Sequence, residues 1–167
     1  LEKKITNLDI LTPKGQKSLS DEMDVKRWFE STFNLKYVET PKHRAAFVDA
    51  VIVKDEVIAV VETKCRYNTS LDDFKTKFNN EWLITWEKLN SGIRISKDLA
   101  VPFYAILYLV ESGIVMTIRV SDSIGNVVAP IRLETTVTQA TINGGSANRT
   151  NAFVNMGSAK IYSLDQS

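Results

Sequence analysis

Phe47-Val48-Asp49-Ala50-Val51-Ile52-Val53, then Lys54-Asp55-Glu56, then Val57-Ile58-Ala59-Val60-Val61-Glu62-Thr63-Lys64: this stretch decides the fold. Two runs dominated by β-branched residues flank a polar corner, which reads as strand, turn, strand. Most of each run is apolar at consecutive positions, so both faces of both strands are covered and the hairpin lies centrally in its sheet. Residues two apart on a strand point the same way, so Glu62 and Lys64 share a face. A turn of two or four residues centred on Asp55-Glu56 sets Asp49 opposite Glu62, whereas a three-residue turn without a bulge breaks that register. In the paired register, two carboxylates and one ammonium meet at the end of a buried hairpin.

Upstream, residues 1–17 mix Lys3, Lys4, Lys14 and Lys17 with Pro13 and Gly15 and read as an arm. Ser18 or Ser20 then serves as a helix N-cap, with Asp21, Glu22 and Asp24 in the first turn, where the dipole favours acids. Val25, Phe29 and Phe33 recur at helical spacing, and the helix ends near Asn34. Residues 35–40 form a short strand and 41–44 a loop. Downstream, Leu71, Phe74, Phe78, Trp82 and Leu89 fall on one stripe, which predicts a long amphipathic helix over 71–90, ended by Asn90-Ser91-Gly92. Strands over 101–110 and 114–120 are joined by Glu111-Ser112-Gly113. Beyond Asp122 the chain turns Thr/Asn/Gly-rich, with a strand over 131–141, a loop over 143–149 and short edge strands at 152–154 and 160–162. The expectation is one α/β domain over residues 1–167. Its core, about 18–121, is a central mixed β-sheet flanked by helices, and residues 122–167 add a β-rich extension.

The composition fits an ordinary globular protein. Of 167 residues, 44% are hydrophobic and 25% charged, and 21 Lys+Arg against 20 Asp+Glu leave a net charge of +1. Disordered, collagen-like and coiled-coil classes are excluded. A single cysteine, Cys65, rules out an internal disulfide, and a single histidine, His43, weakens His-centred catalysis. No apolar run spans a bilayer and no basic-then-apolar leader is visible, which points to a cytoplasmic protein with no membrane partner. The near-zero charge argues against a large basic nucleic-acid surface, but not against an acidic site that recruits a metal.

Three charged groups at the end of two apolar strands are costly to bury without a purpose. Adjoining carboxylates repel each other and raise a pKa. A hard divalent cation such as Mg²⁺ relieves that repulsion and polarises a phosphate, and a lysine beside it stabilises developing charge or acts on a water. An acid followed two residues later by lysine occurs at Glu2/Lys4, Asp24/Lys26, Glu62/Lys64 and Asp73/Lys75. Only the Glu62 copy ends a buried strand with an acid on the preceding strand.

This Asp49…Glu62-Thr63-Lys64 pattern resembles the PD-(D/E)xK nuclease superfamily, whose fold is called restriction-endonuclease-like. The resemblance covers roughly residues 18–120 and includes the element order αβββαβ. It implies Mg²⁺, with Mn²⁺ able to substitute, held by Asp49, Glu62 and the carbonyl of Thr63, while Lys64 acts on the nucleophilic water. It also implies an acid of the first helix at the metal. Glu22 is the match because it falls on the stripe of Val25, Phe29 and Phe33, and Asp21 is the fallback. Val48 stands where many members have proline. The implied function is a metal-dependent deoxyribonuclease, an endonuclease, with DNA as partner. The alternatives are a Holliday-junction-resolvase-like enzyme, which would be a homodimer, an exonuclease of repair or recombination, and a non-catalytic nucleic-acid-binding module on the same fold.

Blander readings stand beside these. Asp49, Glu62 and Lys64 can be a structural ion pair, although a Glu–Lys pair leaves the third charge unexplained. Glu22 can be a simple helix N-terminal acid. Candidate phosphate contacts are Lys42, His43 and Arg44 in the loop leading to Asp49, Arg66 just past Lys64, Lys88, and Arg149 in the late loop, each otherwise a solvated charge. Cys65 points away from Lys64 and reads as a small strand residue.

Overall fold

The computed structural model describes residues 12–41, 46–137 and 147–164. In chain order the elements are α1 (Pro13–Phe33), β1 (Lys36–Glu39), β2 (Ala50–Val53), β3 (Val57–Arg66), α2 (Leu71–Thr76), β4 (Glu81–Thr85), α3 (Trp86–Asp98), β5 (Phe103–Leu109), β6 (Ile114–Ser121), β7 (Ile131–Val137), β8 (Asn148–Asn155) and β9 (Lys160–Ser163). The β2–β3 hairpin closes with Val53 facing Val57, so its turn holds three residues. A bulge between Ile52 and Val53 absorbs the odd residue and restores the pairs Ile52–Ala59, Val51–Val60 and Ala50–Val61. One further step in this register sets Asp49 opposite Glu62.

Six strands form the main sheet in the order β1-β2-β3-β5-β6-β9. β3 and β5 run parallel and every other pairing in this sheet is antiparallel. The core is therefore a mixed sheet with the order αβββαβ (α1, β1–β3, α3, β5), and α2 and β4 are inserted before α3. One face packs Ala50, Ile52, Val61 and Ile106 against Val25 and Trp28 of α1. The other packs Val60, Phe103, Leu107 and Met116 against Leu89 and Ile93 of α3. That second core also takes in Trp82, Ile84, Ala152 and Val154 from a separate sheet of order β4-β8-β7.

Several expectations give way. α1 begins at Pro13, not after Ser18: Thr12 is the N-cap, its hydroxyl accepts from Gly15 N at 3.0 Å, and Pro13 occupies the first turn, where its missing N–H costs nothing. Its end at Asn34, in the left-handed region at φ 52°, is where the sequence placed it. The long helix over 71–90 does not form. α2 stops at Thr76, Asn79 and Asn80 both take positive φ (57° and 58°), and the chain then runs as β4 with Trp82 and Ile84 buried in alternation. Asparagine tolerates that conformation better than most residues, so the pair breaks the helix. Asn90-Ser91-Gly92 lies inside α3 rather than ending a helix, with Gly92 against the Phe103 ring. The segment at 152–154 is no edge: β8 is the middle strand of its sheet, whereas β9 does pair on one side only, with β6. Of the strand expected over 131–141, residues 131–137 form β7 and the rest lie outside the described residues. Among the described residues no helix is long and apolar enough to cross a membrane.

Candidate active site

Asp49 stands just before β2, and both ends of the residue are fixed. Its backbone carbonyl accepts from Thr40 N and from the Thr40 hydroxyl, each at 2.9 Å. Its Oδ2 accepts from the Thr63 N–H at 2.9 Å, which ties the carboxylate across the hairpin to β3. Glu62, on β3 beside Ala105 of β5, is only 5% exposed. The two carboxylates adjoin. A third group joins them from α3: Lys88 Nζ lies 3.3 Å from Asp49 Oδ1 and forms an ion pair with Glu62 Oε1. Lys88 is held in the first turn of α3, where its N–H donates to the Thr85 cap at 3.4 Å. Burial pushes the Glu62 carboxyl up to about 8, the charge of Asp49 adds to that, and Lys88 opposes both.

Lys64 shares the face of Glu62, but its Nζ donates to the backbone carbonyl of Leu83 on β4, at 2.6 Å. The residue is exposed as a whole while its ammonium is drawn in against that carbonyl. Desolvation there, then the neighbouring Arg66, press its pKa down toward about 8, against the pull of Glu62; solvent on the open side softens the shift. Thr63 points to the opposite face, where its hydroxyl meets the Tyr37 hydroxyl at 2.7 Å. Burial holds the Tyr37 phenol well above its usual range. The charge of Glu22, on α1, acts on Tyr37 and Cys65, and the charge of Asp49 acts on Tyr37 as well. The charges acting on Glu62 are those of Asp49 and Lys88. The structure thus gathers Asp49, Glu62 and Lys88 and keeps Lys64 alongside.

A family model described as "phage putative PDDEXK endonuclease" matches residues 14–128. The chain belongs to this family. No curated protein and no solved structure matches it. The matched span runs from α1 through β6 and contains Asp49, Glu62, Lys64 and Lys88.

Other residues of this PDDEXK chain fall as follows. Arg66 stacks over the Phe78 ring, 4.1 Å from its centroid, and desolvation lowers its pKa. Arg149 is exposed at the start of β8. Lys42, His43 and Arg44 lie outside the described residues. The pKa of the Cys65 thiol is raised by burial and then by the acids of α1, which disfavours the thiolate. Sequence reasoning ranked Lys88 only as a phosphate contact and gave Thr40, Tyr37 and Leu83 no part in the site. The Asn79-Asn80 pair marked a break in the 71–90 stretch, but not where α3 begins, on which the placing of Lys88 depends. Among the described residues no three metal-ligating side chains cluster. The Asp49–Glu62 pair nevertheless suits a hard cation, because its oxygens already share the ammonium of Lys88.

Proposed function

We propose that this protein is a divalent-cation-dependent deoxyribonuclease that cuts DNA phosphodiesters within the strand. The observation that carries the reading is the meeting of Asp49 and Glu62 on adjacent strands, with a cationic group seated on both. Asp49, Glu62 and the Thr63 carbonyl would hold Mg²⁺ or Mn²⁺, which supplies Lewis-acid polarisation of the phosphate and a more acidic water. The Thr63 N–H fixes the Asp49 carboxylate, and the Thr40 hydroxyl and N–H fix its backbone. Burial of Glu62 keeps bulk water off the acidic pair. Lys64, with its pKa pressed down, exchanges a proton near neutral pH more readily than an ordinary lysine, which suits it to act on the attacking water. Lys42, His43, Arg44 and Arg149 are the candidate phosphate contacts.

The test is incubation with linear, circular, branched and single-stranded DNA in Mg²⁺, Mn²⁺ or EDTA, beside Glu62→Ala and Lys64→Ala. Cation-dependent cutting that both substitutions abolish is expected, and cutting of the circle marks endonuclease action. DNA binding without cutting under any cation would overturn the reading.

A further inference from the structure

The ammonium that balances the acidic pair is not the one in the motif. Lys64 Nζ donates to Leu83 O at 2.6 Å, on β4. Lys88, from α3, touches Asp49 Oδ1 and Glu62 Oε1 instead. Its side chain is 38% exposed, against 14% for Asp49 and 6% for Glu62, so the lysine is the most exposed member of the trio. A lysine head is a compact point charge on a flexible stem, free to swing while its helix stays in place. A divalent cation held by this pair would use the same oxygen atoms and the same space. Ammonium and cation therefore exclude each other, by shared ligands and by like charge.

We propose that Lys88 is a positioning residue that stands in for the divalent cation: it bridges Asp49 and Glu62 while the site is cation-free, and it leaves them when the cation enters. The bridge holds the two carboxyl groups together in a buried place, so the acids wait in the arrangement a cation needs. The proposal rests on the nuclease reading, because it takes a divalent cation to be the resident of this pair.

The sign of one measurement separates this role from a merely structural one. If Lys88 only supports the fold, removing it loosens the acids and weakens cation binding. If it competes, removing it strengthens binding. Mn²⁺ is titrated calorimetrically into the full chain as wild type, Lys88→Met, Lys88→Gln, Lys88→Arg and Glu62→Ala, with thermal melts in EDTA and in Mn²⁺. An opposite charge in contact shifts a carboxylate's proton affinity by roughly one to three log units, so Lys88→Met and Lys88→Gln should bind Mn²⁺ about tenfold tighter or more. Lys88→Arg, which keeps the charge, should stay near wild type. Both neutral variants should melt lower than wild type in EDTA and gain more from Mn²⁺; Lys88→Gln, still a hydrogen-bond donor, covers the case in which Lys88→Met fails to fold without cation. Equal or weaker Mn²⁺ binding by the neutral variants overturns the proposal. If wild type binds Mn²⁺ and Glu62→Ala does not, the nuclease reading survives that result. If no chain binds Mn²⁺, the nuclease reading falls and the proposal with it.

Discussion

Replacing Glu62 by glutamine should flatten the pH dependence of folding stability. The Glu62 carboxyl ionises at about 8 in the fold against 4.5 in its ordinary state, first because it is buried and then because Asp49 is beside it. Between those values the folded protein keeps a proton that the unfolded chain has lost, so stability falls as pH rises. The contribution is complete below the unfolded value and is gone once pH has passed through the folded one. The slope is at most about 1.4 kcal/mol per pH unit, so the whole window is worth no more than about 5 kcal/mol. Glutamine keeps the shape and still accepts a hydrogen bond from Lys88, but it does not titrate. Urea denaturation in EDTA from pH 5 to pH 9 on both proteins gives the difference in stability, in which titrating groups remote from Glu62 cancel. Wild type should lose ground to Glu62→Gln steadily across this range. Parallel curves would refute the reasoning, because they would mean that Glu62 is already ionised in the fold at its ordinary pH.

Two further substitutions probe the scaffold. Ala100 follows α3 at φ 54°, a left-handed conformation that costs an L-residue roughly 1 kcal/mol, so Ala100→Gly should raise the melting temperature by about 2–4 °C, and a lower one in calorimetry would count against the assignment. A Cβ on Gly92 would lie 2.7 Å from the Phe103 ring, and Phe103 is buried, so Gly92→Val should lose about 1–3 kcal/mol in urea titrations; an unchanged midpoint would show that the α3–β5 contact is loose.

The parts of the fold that the sequence revealed share a cause. β2 and β3 are apolar on both faces, so they could only be central strands, and the positions of Asp49 and Glu62 follow from the alternation of side chains along them. The turn itself was not legible: three residues would have broken the pairing, and the compensating bulge at Ile52/Val53 has no mark in the sequence. The stretch 71–90 misled because Phe74, Phe78 and Trp82 recur every four residues, while Trp82 and Ile84 equally satisfy a strand's period of two. The Asn79-Asn80 pair should have decided between them. At the N-terminus, Thr12-Pro13 carries a clear start signal that the surrounding lysines and Gly15 obscured. Lys88 could not have been placed against the acids without knowing where α3 begins, since a shift of one residue along a helix turns a side chain by about 100°.

The second sheet shows that the length a family shares and the length that folds are different quantities. The family match ends at residue 128, yet β4, well inside it, is hydrogen-bonded to β8, from Glu81 opposite Asn155 to Thr85 opposite Asn151. Lys64 leans on that same strand through Leu83, and Trp82 is sealed in a core that includes Val154 and Met156. A fragment cut at the end of the match would keep every motif residue, yet β4 would become a bare strand edge and the wall behind the Lys64 ammonium would lose its support. The segment after residue 128 is thus part of what the Asp49–Glu62–Lys64 face is built from, even though none of those residues lies in it.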